Sequence, residues 1–131
     1  MKYLLTLWGD ESRFADLAPE QIQANMKEWD AYTIETKDAG AFLGGEGLQP
    51  TATATTVQIQ PSGDHIVSDG PFAETKEQLG GFYLLDCDNL DDAIAWAKKI
   101  PMPGGKVEVR PVMDYEAAAS GVHTQEAGAR R

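Results

Sequence analysis

The sequence is short of cysteine, histidine and basic residues. Among 131 residues there is one cysteine, and there are two histidines. Eleven Lys and Arg stand against 21 Asp and Glu, which leaves a formal net charge of −10. With Cys87 alone, no intrachain disulfide can form. His65, Cys87 and His123 are too widely spaced to make a zinc site, so no metal is expected. No Gly-x-Gly-x-x-Gly segment opens a helix after a strand, and there is neither a P-loop nor a Gly-x-Ser-x-Gly elbow, so no cofactor is expected either. The scarcity of bases, with a pI near 4.5, argues against a nucleic-acid partner, which needs a basic face. It argues equally against an anionic membrane surface. No apolar run approaches the ~20 residues that span a bilayer. Only six residues lie between Lys2 and Gly9, too few for a signal-peptide core. The expected location is a reducing cytoplasm.

What is present suits one ordinary domain, with 42 % hydrophobic and 24 % charged residues. The stretch from Tyr115 to Arg131 differs from the rest, being rich in Ala, Gly, Ser and Glu. Its Glu116 and Glu126 balance Arg130 and Arg131, so the whole −10 sits on residues 1–114. Residues 1–113 read as the domain. Residues 114–131 read as a flexible tail, with Tyr115–Ala119 open to a helical turn.

Hydrophobic periodicity supplies the elements. Tyr3, Leu5 and Leu7 share one face of a strand over 2–8, and Leu4 and Trp8 add apolar bulk to the other. Asp10–Ala18 is polar and irregular. Pro19 suits the first turn of a helix, whose Ile22, Met26, Trp29, Thr33 and Thr36 fall on one face, and Gly40 is a suitable stop. Residues 41–50 read as a short strand running into a glycine-rich loop. Thr55, Val57 and Ile59 alternate with Thr56, Gln58 and Gln60, the pattern of a half-buried strand. Residues 61–64 form a turn, and His65–Ser68 return antiparallel. Gly80–Asp86 is the most apolar strand and needs cover on both faces. Asp88 or Asn89 caps a helix that runs to Ile100 and stops at Pro101. Lys106–Val112 is the last strand.

Two helices interleaved with a mainly antiparallel sheet predict an α+β, ferredoxin-like split βαβ fold with both helices on one face. The other face, with Leu4, Trp8 and one of the Phe82 and Tyr83 faces, then has no third helix to cover it. A second copy, sheet against sheet, is the economical cover.

The densest segment is Asp69-Gly70-Pro71-Phe72-Ala73-Glu74-Thr75-Lys76-Glu77-Gln78-Leu79-Gly80-Gly81-Phe82. Asp-Gly-Pro is turn chemistry. Phe72 is placed to anchor the loop into the core, and Gly80-Gly81 permits a bulge or a close backbone approach. With Gly45–Pro50, Asp91–Ala97 and Val107–Pro111, this segment resembles the YCII-related family, in the branch named for Asp-Gly-Pro-Phe. The four segments lie in order and together cover most of residues 1–113. The resemblance implies a ferredoxin-like fold, a dimeric α+β barrel with a cleft on each subunit, a bacterial origin and an unsettled biochemical role. Relatives are often encoded beside alternative sigma factors, which implies a regulatory link. Some YCII-type relatives resemble enzymes because a histidine in the first helix sits near an aspartate. Here the helix from Pro19 to Ala39 has no histidine and the matching region holds Trp29 and Asp30, so that pair does not carry over.

Each candidate residue has a functional and a bland reading. Asp69 is a general base in a cleft or a cap of its own turn. Glu46 is a ligand-binding or catalytic carboxylate or a solvated loop acid, and if it met Asp69 in one pocket an acid–base pair would follow. His65 is a titrating group or an inert surface residue. Lys76 and Arg110 hold a small anionic ligand, or Lys76 pairs with Glu74 and Glu77 while Arg110 serves an interface. Cys87, Trp29 and Trp96 read as packing residues. The sequence thus points to a homodimeric small-molecule-binding or regulatory module. The alternative is a cofactor-free isomerase or lyase using Asp69, a reading that rests on fold analogy.

Overall fold

The computed structural model describes residues 1–116. Strand β1 (Lys2–Gly9) leads through a single helical turn, α1 (Ser12–Ala15), to the long helix α2 (Pro19–Asp38). Then come β2 (Phe42–Gly47), a 3-10 turn (Thr51–Thr53), β3 (Thr55–Ile59), β4 (His65–Asp69) and β5 (Gln78–Asp86). Helix α3 (Leu90–Lys98) and β6 (Lys106–Pro111) complete the order. The turn α1 falls inside the stretch expected to be irregular. Asp10 directs it, accepting from both the backbone N–H and the hydroxyl of Ser12. Those bonds hold the Asp10 carboxyl below its ordinary range.

Four strands form one antiparallel sheet in the order β2-β5-β1-β6, and β3 and β4 pair only with each other. Tyr3 lies opposite Leu85 and Leu5 opposite Tyr83, so these four side chains share one face. Leu5 and Leu85 are fully buried there. Tyr32 of α2, Ala93 of α3, Cys87 and Ile100 join them in the core. Tyr32 stands edge-on to Tyr83 and to Trp96, and its hydroxyl donates to the Trp96 carbonyl at 3.0 Å. Burial pushes its phenol pKa well up, with Tyr83 adding to the rise. Burial also raises the Cys87 thiol pKa, as expected of a packing cysteine. Asn89 rather than Asp88 caps α3, accepting from the Asp92 N–H at 2.9 Å.

Three expectations change. The predicted face of α2 holds only in its second half: Trp29, Thr33, Tyr32 and Thr36 pack inward, whereas Ile22 and Met26 are exposed. No residue of the core cluster comes from the first half of the helix. Strand β3 is not half-buried: Val57, Ile59 and, across the hairpin, Val67 are all exposed. Phe72 does not anchor its loop, being 89 % exposed. The Asp-Gly-Pro turn needs no aromatic anchor, since Gly70 takes φ +94° and its N–H bonds the Ala54 carbonyl at 2.7 Å.

Candidate functional site

A concavity of about 530 Å³ lies between α2 and the end of the sheet where β2, β5 and β1 carry glycines. Gly45, Gly47, Gly80 and Gly9 border it. Sheet pairing explains why glycines make it. Gly47 lies opposite Gly81, and Gly81 opposite Leu7, so on that row β2 and β5 carry no side chain and the first is Leu7 of β1. A Cβ on Gly47 would meet nothing within 4 Å, whereas one on Gly81 would approach the Glu46 carbonyl to 2.8 Å. Gly81 is therefore required by strand packing, and Gly47 leaves open space.

Over this floor α2 hangs Trp29 and Thr33, with Phe42 and Tyr83 behind and Phe14, Leu7 and Met102 at the side. Trp29 and Tyr83 are nearly parallel, at 11° with centroids 6.3 Å apart. Phe42 meets Tyr83 at 74°. Two polar features break the apolar lining. The hydroxyls of Thr33 and Tyr83 share a 2.7 Å hydrogen bond, and the indole N–H of Trp29 donates to Asn25 Oδ1 at 3.0 Å. Glu11 closes one side. Its backbone N–H donates to Gln78 Oε1 at 2.9 Å. Its two carboxylate oxygens accept from the backbone N–H and the hydroxyl of Thr51, each at 2.7 Å. One residue thereby ties the β1–α1 connection, the 3-10 turn and the start of β5 together.

The sequence candidates do not gather here. Glu46 borders the cleft, but it lies opposite Phe82 on the sheet face away from the helices, one residue out of phase with Gly45 and Tyr83. Asp69 ends β4 opposite Thr55, exposed, and borders neither cavity. His65 is exposed at the start of β4, and Phe72 projects into solvent. Lys76 borders a smaller hollow with Asp10, Arg13 and Glu77. The bridge that Glu77 makes is to Lys106, at 2.7 Å. Arg110 lies opposite Leu4 on β6, exposed and away from both cavities. His123 and most of the expected tail lie outside the described residues. No group of His, Cys, Asp and Glu suited to hold a metal occurs among the described residues.

Sequence reasoning gave Trp29 a packing role and passed over Glu11, Thr33 and Tyr83. The available signal was glycine. Gly44-Gly45-Glu46-Gly47 and Gly80-Gly81 occur on two strands that prove to be neighbours.

The family model for the YCII-related domain matches residues 1–116. The chain belongs to the YCII-related family. It is also 38 % identical, over 119 residues, to an uncharacterized protein of Rhizobium meliloti (strain 1021). That match covers 88 % of this chain and 95 % of the relative. The YCII-related match thus spans the sheet, both long helices and the cleft. No helix among the described residues is long and apolar enough to cross a membrane.

Proposed function

We propose that this YCII-related protein is a small-molecule-binding or regulatory module whose ligand occupies the cleft between α2 and the glycine floor. One observation carries the reading. The cleft is large enough for a small ligand and mainly apolar, with a few convergent polar groups, the usual make-up of a ligand pocket. The isomerase or lyase reading needs Asp69 in a cleft with a second polar group within hydrogen-bond reach. The cleft offers a hydroxyl pair and one carboxylate already bonded to Thr51, and Asp69 stands outside it. The binding reading is therefore favoured over the isomerase or lyase.

The strand order β2-β5-β1-β6 supports a ferredoxin-like reading of the fold. Leu4, Trp8, Phe82 and Leu84 lie on the face away from the helices, half-buried, and among the described residues no helix covers that face. That face supports a homodimer formed sheet against sheet. A bacterial origin and a regulatory link to a sigma factor rest on the resemblance of the Asp-Gly-Pro-Phe segment to its branch, and a cytoplasmic setting rests on the single cysteine and the short apolar run before Gly9.

Gly47→Leu tests the cleft, because a Cβ at Gly47 meets nothing within 4 Å and the side chain starts into open space. In a thermal-shift screen of metabolites, compounds that stabilise the native chain should lose that effect in the variant. Compounds that stabilise both proteins equally would place binding elsewhere and overturn the reading.

A further inference from the structure

If the cleft is the binding site, as proposed above, its own chemistry also sets the charge and shape of the ligand. No Lys, Arg or His borders it. The charged residues that do are Glu11 and Glu46, and strand register turns Glu46 to the other sheet face. Glu11 is half-buried, and its carboxylate bonds only the neutral donors of Thr51. Among the described residues no cation lies within ion-pair distance of it. Each carboxylate oxygen can accept more than one hydrogen bond, so acceptor capacity remains after the Thr51 clasp. The aromatic lining acts in the same sense, since the faces of Trp, Tyr and Phe attract cations. The floor contributes shape. With Gly47 leaving open space in a cleft that Trp29 also lines, a flat body can lie against the strand backbone.

We infer that the cleft takes a flat aromatic amine, with its ring between the glycine floor and Trp29 and its ammonium directed to Glu11. This reverses the expectation of an anionic ligand held by Lys76 and Arg110, neither of which borders the cleft.

A matched series on one ring tests it by calorimetry: tryptamine as the cation, indole-3-ethanol as the neutral analogue and indole-3-acetate as the anion. Tryptamine should bind at least about tenfold more tightly than the acetate, since one charge is attracted and the other repelled at a partly desolvated carboxylate. Glu11→Gln keeps the shape and one of the two acceptor oxygens but removes the charge. It should bring the amine and acetate affinities together, whatever common change it makes to all three ligands. Equal or tighter binding of the acetate to the native chain would overturn the charge assignment and leave the cleft reading intact, provided Gly47→Leu abolishes binding. If none of the three binds, or if Gly47→Leu alters none of them, the amine assignment is overturned; in the latter case the binding-site reading falls with it.

Discussion

The four-stranded sheet and the β3–β4 hairpin are built from similar residues and end in opposite states. In the sheet, β1 and β5 send Tyr3, Leu5, Tyr83 and Leu85 under two helices, and all four are buried. In the hairpin, Val57 pairs with Val67 just as Leu5 pairs with Tyr83, yet both valines stay more than half exposed. Alternation is therefore a statement about a strand's two faces and not about what covers either. A two-stranded ribbon is at best marginally stable alone. This one is held at its base by the Gly70–Ala54 backbone bond, by the Thr56 hydroxyl on the Gly70 carbonyl at 2.7 Å, and by the Glu11–Thr51 clasp.

The largest difference should appear on truncating the sheet. Leu85 is 0 % exposed, so Leu85→Ala should destabilise the chain by about 2–5 kcal/mol through lost burial and the cavity left behind. Equilibrium urea denaturation measures this. A loss under about 1 kcal/mol would mean that the helix-covered face collapses around the gap, erasing the contrast with the hairpin.

The hairpin's turn should respond locally. Gly63 holds φ +96°, a conformation that costs an L-residue about 1–2 kcal/mol. Gly63→Ala should speed amide exchange in β3 and β4 by about tenfold while leaving β5 amides unchanged, because the ribbon is a separate opening unit. Equal acceleration in β5 would show that the two regions open together.

How much of this the sequence displays follows from the same contrast. Element order was legible because each strand and helix carries its own period. The packing roles of Cys87 and Trp96 were legible, and so was a cap at Asp88 or Asn89, though only the structure chooses Asn89. The exposure of Val57 and Phe72 was not, since cover is a property of neighbours distant in the chain. The cleft was the hardest feature to read. It is made by side chains that are absent, at Gly47 and Gly80, on strands that become adjacent only once β5 inserts between β1 and β2. Trp29 and Thr33 look like core residues on a helical face, and only the missing floor beneath them makes them a roof.

The smallest effect is the most telling about assembly. Val67 is 66 % exposed in the single chain, so in a monomer Val67→Ala should cost no more than about 0.5 kcal/mol, as surface changes do. If a second copy covers the hairpin as well as the outer sheet face, the same substitution deletes buried methyl groups. Its cost should then rise to about 1 kcal/mol or more and depend on protein concentration. Light scattering at micromolar concentration, run beside the denaturation, separates the cases. A mass near twice 14.2 kDa with a costly Val67→Ala places the hairpin inside the dimer interface. The doubled mass with a silent Val67→Ala confines the interface to Leu4, Trp8, Phe82 and Leu84. A mass near 14 kDa would remove the sheet-face dimer and leave both apolar surfaces to some other partner.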